Sequence, residues 1–483
     1  MESIWKRETE LGERSAIRED YRADAVVVGA GMAGVLTAYK LQKAGLSVIV
    51  LEAERVGSGQ TQNTTAKITA QHNLIYDRLI RQIGRDLAGQ YARANQKAIA
   101  EFEALIRTQK IDCDFRRLPA YLYTNLRDKT DLVQEAKSAK SLGLDASFVT
   151  ESSLPISIGG AVRFENQAQF QPLKFLKALA DELTIFEKSR VYKVEGGRVY
   201  TAHGRVDAKA VVLACHFLFV NRPGYYFLRM HQSRSYVVAL ENAAELDGMY
   251  LGLEGLSFRN YGSYLLLGGG GHRTGEHPDK SSYDRLERAA RWLWPDARVV
   301  AKWSAQDCMT MDGIPYIGRF SNGMPQLYVV TGFNKWGMTS SMVAAQILTE
   351  QVLGWAHPLA EVFSPQRFHT RASAANLLKD GIEAVTGLGL KKLTVPEGNY
   401  ADLKSGEARV VDYDGVRAGV YRDEGNETHV VSVTCPHLGC VLSWNGDERS
   451  WDCPCHGSRF DYKGTLLSGP ALEGLHQEAQ TVQ

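Results

Sequence analysis

Residues 24–54, DAVVVGAGMAGVLTAYKLQKAGLSVIVLEAE, admit few folds. Ala25 to Val28 form an apolar run suited to a parallel strand buried on both faces. Gly29, Gly31 and Gly34 follow it as GxGxxG. Val35, Leu36 and Tyr39 then recur at helical spacing, and Gly45 closes the helix. A second apolar run, SVIVL, ends on Glu52. Such a strand–turn–helix–strand unit predicts a dinucleotide cradle. Its glycines permit a tight turn, close approach to a pyrophosphate and close helix packing, while the helix N-terminus offers free N–H groups. Glu52 can bind ribose hydroxyls, which argues against a 2′-phosphate and hence against NADP. The cradle by itself leaves NAD and FAD open.

Two later segments narrow the choice. AKAVVLACH (208–216) reads as a strand of the same sheet, returning to the nucleotide. DGIPYIG (312–318) precedes QLYVVTGFNKWGMTSSMVAAQILTEQVLG (326–354), a strand, a glycine-containing turn and a helix. With the cradle, these segments resemble the D-amino-acid oxidase and glycine oxidase family of FAD enzymes, over about residues 20–355. The resemblance implies that Gly332, Phe333, Gly337 and Met338 lie near the flavin ring. It also implies a substrate domain over the flavin, mainly about residues 155–310. Where the family often has a histidine before the second glycine, this chain has Trp336.

Some relatives attach flavin through a cysteine, but the spacing of Cys308 from Asp312 does not fit that pattern, so non-covalent FAD is expected. GGGGHRTG (268–275) is rejected as an NADH site because no amphipathic helix follows it; it reads as a flexible loop at a strand end. Arg229, Arg234, Arg259 and Arg273 fall in the substrate region, where surface or structural roles are expected for each; His216 and His272 are likewise expected to be structural. The sequence singles out no catalytic residue. Hydride transfer from an amine to flavin needs positioning and desolvation more than an acid–base pair.

The seven cysteines are unevenly placed. Cys113, Cys215 and Cys308 are scattered, as small buried hydrophobes would be. Cys435, Cys440, Cys453 and Cys455 crowd into TCPHLGC (434–440) and CPCHGSRFD (453–461), together with His437 and His456. Asn445–Gly446 between them is a hairpin signal that brings the two loops together. Two thiolates and two imidazoles suit either a tetrahedral zinc or a [2Fe–2S] centre of the Rieske kind. The zinc reading leaves Cys440 and Cys455 without a role.

Residues 398–475, roughly, resemble Rieske proteins of the cytochrome bc type, which carry CxHxGC and CPCHGS. The resemblance implies cluster ligands Cys435, His437, Cys453 and His456, and a disulfide between Cys440 and Cys455. It also implies a covering proline loop at SGPA (468–471). Ser458 stands where such proteins place a hydroxyl that donates to a bridging sulfide. Phe460 stands where high-potential members have a tyrosine. A missing hydrogen bond to sulfur lowers the potential, so a value below the top of the roughly −150 to +300 mV Rieske range is expected.

The predicted fold is therefore an α/β Rossmann-like FAD-binding domain with an inserted α+β substrate domain, plus a small all-β Rieske domain. The boundaries are residues 1–355 for the oxidoreductase, 356–397 for a helical connector and 398–483 for the Rieske domain. In the connector, Leu378, Ile382 and Val385 could share one helical face. The pairing predicts a relay: a small amine or amino acid gives electrons to flavin, flavin to the cluster, and the cluster to an external acceptor. The rivals are an NAD(P)H-linked reductase and a non-catalytic electron carrier or redox sensor. A net charge of +1 gives no argument for nucleic acid. No secretory signal and no bilayer-spanning run is read, so a cytoplasmic setting is expected.

Overall fold

The computed structural model describes residues 2–276, 281–367, 400–413 and 416–477. The predicted helical face of Leu378, Ile382 and Val385 lies outside them.

Three strands form the centre of the first sheet. Strand β1 (Tyr21–Val28) feeds helix α1 (Met32–Lys43), which returns to β2 (Val48–Leu51). Strand β3 (Gly204–Leu213) lies on the other side of β1, so that Val28 stands between Leu51 and Leu213 in parallel register. All four residues of β2 and the last four of β1 are buried, as a sheet covered on both faces requires.

A second, nine-stranded sheet lies in the region where a substrate domain is expected. Its edge is built from β4 (Met230–Glu241), β5 (Tyr264–Arg273) and β6 (Arg298–Thr310), with β4 in the middle, antiparallel to both. The sheet also takes strands from residues 67–68, 116–124, 146–149 and 160–169, whereas residues 184–186 and 191–201 join the first sheet. Sequence separation is thus a poor guide to which sheet a strand enters.

The glycine-rich stretch 268–275 corrects an expectation. Gly268 to Arg273 are not a loop but the second half of β5, paired with Val237 to Ser233 of β4. The glycines fit because neighbours press close: a Cβ on Gly268 would meet Ser257 Oγ at 2.7 Å. Tertiary pairing here overrides poor strand propensity.

Strand β7 (Met324–Thr331) pairs in parallel with β3 and leads into α2 (Gly337–Val352), which packs on α1. The DGIP segment is clamped from beyond that helix. Arg367 donates to both carboxylate oxygens of Asp312, at 2.7 and 2.9 Å. The C-terminal domain is all β, with one three-stranded sheet and one of four. Asn445 pairs with Ser450 across the predicted hairpin. Among the described residues, no helix is long and apolar enough to cross a membrane.

Candidate functional site

At the end of β1 the chain turns through Gly29 at φ +107°, where a Cβ would meet the Ala214 oxygen at 2.6 Å. A Cβ on Gly34 would lie 1.9 Å from the Gly29 oxygen, so α1 packs directly on the turn. Gly34 is spent on that packing and does not reach the cavity beyond. Gly29, Gly31, Glu52, Gly332, Phe333, Gly337 and Met338 all line that cavity, whose volume is about 360 Å³. The Glu52 carboxylate accepts from the N–H groups of Ala30 at 2.7 Å and Glu54 at 2.9 Å. Burial raises its pKa, against the pull of those two bonds. The open turn, the helix N-terminus and an anchored acid fit the phosphates and ribose of a dinucleotide.

The facing wall holds Cys215, His216, Phe217 and Cys308, and is completed by residues 466–472 of the C-terminal domain. Cys113 and Cys308 are buried as expected, but Cys215 is half-buried and borders the cavity. His216 also borders it, at φ +66°, which a purely structural role did not anticipate. Burial lowers its pKa to about 4, against a bond to Gln232, so the ring is neutral.

A second cavity of about 460 Å³ opens beside the nine-stranded sheet and shares Thr64, Ala305, Asp307, Lys335, Gly337 and Met338 with the first. Trp336 lines it and stacks on His72, with ring centroids 4.6 Å apart. His72 bonds to the Tyr91 hydroxyl at 2.6 Å and the Thr69 oxygen at 2.7 Å, and burial lowers its pKa to about 3. A neutral, doubly anchored imidazole therefore fixes the indole. Three of the four candidate arginines are engaged elsewhere. Arg259 donates to the oxygens of Thr65 and Ala66, Arg229 to that of Pro365, and Arg234 pairs with Glu448. Arg273 lines the second cavity while donating to the Pro454 oxygen at 3.3 Å. Lys67, Asp307 and Lys335 of that cavity carried no sequence signal of their own: Lys67 is far from the other two in the chain, and Lys335 sits in the glycine turn before α2 without being one of the residues that mark it.

In the C-terminal domain two loops meet as the hairpin predicts. The N–H of Cys435 donates to the Cys440 oxygen, and that of Cys453 to the Ser458 oxygen. Cys440 and Cys455 are joined in a disulfide across the loops. The Cys435 and Cys453 thiols bond to one another. That bond holds Cys435 down at about 7, while the same bond and burial push Cys453 up. The imidazoles of His437 and His456 lie 4.9 Å apart, centroid to centroid. Both nitrogens of His437 and Nδ1 of His456 are buried without a hydrogen-bond partner. Burial lowers both histidine pKa values, keeping neutral the forms that ligate metal. Two adjacent thiols and two orphaned imidazoles fit a cluster with thiolates on one iron and imidazoles on the other. Ser458 is fully buried, its Oγ accepting from the Ala471 N–H at 3.0 Å and bonding the Cys435 thiol. Phe460 is fully buried in the same apolar cluster as both cysteines.

The two sites share a partition. Residues directly opposite in an antiparallel pair share a face, and successive residues alternate. In β4 and β6 the opposed pairs are Gln232–Cys308, Ser233–Asp307 and Arg234–Gln306. Ser233 and Asp307 face the second cavity. Gln232, Arg234 and Gln306 face the C-terminal domain. Gln232 Nε2 donates to the main-chain oxygens of His456 at 2.7 Å and Gly469 at 3.1 Å. Gln306 Nε2 donates to Gln232 Oε1 at 2.5 Å and to the Gly457 oxygen at 2.7 Å. Arg234, only 2 % exposed, pairs with Glu448 at 2.8 Å. A Cβ on Gly457 would lie 2.6 Å from Gln232 Cβ, so only glycine allows this approach. The rings of Phe217 and Phe227 stand 6.5 and 5.6 Å from that of His456.

A dinucleotide cradle whose cavity is closed by the domain bearing a Rieske-type ligand set defines an oxidoreductase with sites for an organic redox cofactor and an iron–sulfur cluster. Comparison with known proteins makes this specific. The family model described as FAD dependent oxidoreductase matches residues 24–351, and the Rieske [2Fe-2S] domain matches residues 394–479. The chain belongs to the FAD dependent oxidoreductase family and carries a C-terminal Rieske domain, with FAD and a [2Fe–2S] cluster as the cofactors this architecture takes. Its relatives include the Bacillus subtilis (strain 168) protein named "Putative Rieske 2Fe-2S iron-sulfur protein YhfW". The two are 36% identical over 494 residues, spanning 99% of this chain and 97% of that one. The cytochrome b6-f complex iron-sulfur subunit of Trichodesmium erythraeum (strain IMS101) is 47% identical over 51 residues, 10% of this chain and 28% of that one. Among solved structures, glycine oxidase from Geobacillus kaustophilus shares the fold at a TM-score of 0.63 and 20% identity. That match covers 72% of this chain and 99% of that one.

Proposed function

We propose that the chain oxidises a small amine or amino acid and passes the electrons from flavin to the Rieske cluster and on to an external acceptor. The observation that carries this reading is the shared wall. Residues 466–472 of the Rieske domain close the cavity that the cradle glycines open. When bound, FAD supplies a two-electron acceptor for hydride and the cluster a one-electron carrier.

The residues divide the work accordingly. Gly29, Gly31 and the start of α1 hold the pyrophosphate, Glu52 the ribose, and Gly34 seats the helix. Gly332, Phe333, Gly337 and Met338 flank the flavin ring, which is held without a covalent bond. Trp336, fixed by His72, forms the floor on which the substrate rests and excludes water there. Cys435, Cys453, His437 and His456 would hold the cluster, the thiolates and the imidazoles each supplying two ligands. Ser458 and Phe460 set the potential. Gln232 and Gln306 keep the His456 loop against the flavin cavity.

The test is absorption and low-temperature EPR spectroscopy of the purified holoprotein, with anaerobic addition of an amine and amino-acid panel. Flavin bleaching together with a growing Rieske signal is expected. Rapid bleaching by NADH instead would overturn the reading in favour of a reductase. Bleaching by no amine, amino acid or NADH would favour an electron carrier.

A further inference from the structure

We propose that the second cavity is built for an amino acid bearing two carboxylates, with Lys67 and Lys335 receiving the carboxylates and Asp307 the amine. The proposal rests on the amine and amino-acid reading above and sharpens it.

The argument is one of unpaired charge. Lys67 Nζ bonds to Thr65 Oγ1 at 3.2 Å and Lys335 Nζ to Ser235 Oγ at 3.0 Å. Among the described residues, neither lysine has a carboxylate within salt-bridge distance. Asp307 borders both cavities, and among the described residues its carboxylate has no hydrogen bond or ion pair; burial pushes its pKa up, against the more distant charges of Lys335 and Arg234. A charge removed from water is costly until it is paired. Apart from the Arg273 guanidinium, which is turned to the Pro454 oxygen, two ammonium groups and one carboxylate face the same space, so the complementary ligand carries one ammonium and two carboxylates. A simple amine would satisfy Asp307 and meet two like charges. A zwitterion with one carboxylate would leave one lysine unpaired.

The remaining wall suits the carbon skeleton. Val237, Leu251, Leu256 and Trp336 provide apolar surface for a short aliphatic spacer. Asp307, Lys335, Gly337 and Met338 belong to both cavities, which puts the amine-binding carboxylate at the neck facing the flavin. Lys67 agrees with this picture: burial and the nearby Arg259 charge hold its pKa down at about 7. A carboxylate beside it would restore the charged form.

The test uses the flavin-loaded protein under anaerobic conditions and three probes: glutarate and butyrate, which carry no amine to oxidise, and butylamine, whose oxidation would show as bleaching and is read apart from the band shift of binding. Each is titrated while the visible flavin band is followed. Glutarate is expected to perturb the band with a Kd at least about tenfold below that of butyrate, and butylamine to bind most weakly. Lys67→Met and Lys335→Met should each abolish the preference, and Lys335→Arg should keep it. Equal binding of glutarate and butyrate, tighter binding of butylamine, or an unchanged preference in both Met variants would overturn the proposal. The wild-type comparison decides even if a variant fails to fold. Bleaching by simple amines with no glutarate preference would remove this proposal alone. A glutarate preference in a protein that no amine or amino acid bleaches would remove the oxidation reading and leave the binding assignment.

Discussion

Gln232, in a strand of the nine-stranded sheet, donates a hydrogen bond of 2.7 Å to the main-chain oxygen of His456, in the loop of the Rieske-type ligand set. The same amide nitrogen reaches Gly469 in the proline loop at 3.1 Å. One buried side chain thus holds both loops that enclose the cluster site.

Replacing Gln232 with Leu leaves two buried carbonyl oxygens without this donor, at a cost of about 1–3 kcal/mol each. Reduction of the flavin by substrate should be unaffected, while transfer to the cluster should slow by about tenfold or more. Stopped-flow absorption, read separately at the flavin and cluster bands, checks this. Equal slowing of both phases would contradict it.

The Arg234–Glu448 pair makes a second prediction. Arg234 is buried and Glu448 is 14 % exposed on its side chain. Arg234→Met strands the carboxylate, with Arg459 at 3.2 Å as its remaining cationic partner. Breaking a buried pair typically costs about 3–5 kcal/mol, and the second arginine should hold the loss to the lower end. A thermal melt followed by tryptophan fluorescence measures it.

The same carboxylate gives the docked domains a pH dependence. Burial acts to raise the Glu448 pKa, but the Arg234 and Arg459 charges outweigh it, and the net shift is downward. A carboxyl with a depressed folded pKa contributes stability that is present above its unfolded value, near 4.3, and is lost as pH falls through the folded value. The melting temperature should therefore fall below about pH 4.3 in the wild type. In Glu448→Gln this component of the fall should be missing.

Phe460→Tyr adds a hydroxyl within the apolar cluster that contains Cys435 and Cys453. A hydroxyl donating to a ligand sulfur favours the more negative reduced cluster. The potential should rise, as measured by redox titration of the EPR signal; an unchanged value would defeat the assignment of Phe460 as a tuning residue.

Cys440→Ser opens the disulfide, which links residues 15 apart in sequence. A loop of that size is worth about 3 kcal/mol in the chain-entropy account. Iron and sulfide content per chain should drop on gel filtration, while flavin content stays constant.

Much of both sites is legible in the sequence because it is local. The cradle is one contiguous strand–turn–helix–strand, and the cluster ligands occupy two short loops joined by a hairpin. What sequence reading missed depends on strands that meet only in the folded chain. Gly268 to Arg273 read as a loop because glycine is a poor strand former, yet β4 supplies the pairing that makes them a strand. Gln232 and Gln306 form no motif, and their bond exists only because β4 and β6 are neighbours. Lys67 and Asp307 reach one cavity from opposite halves of the oxidoreductase region. Nothing in local periodicity signals such convergence.

The alternating faces of β4 and β6 mean that two unrelated properties are written on interleaved letters of the same strands. Ser233, Ser235 and Asp307 line the cavity proposed above for the substrate, while Gln232, Arg234 and Gln306 hold the C-terminal domain. On the reading proposed above, point substitutions in the cavity set can change the ligand taken without loosening the contact between the domains. A one-residue slip of either strand cannot, because it turns every docking side chain toward the cavity and every cavity side chain toward the C-terminal domain.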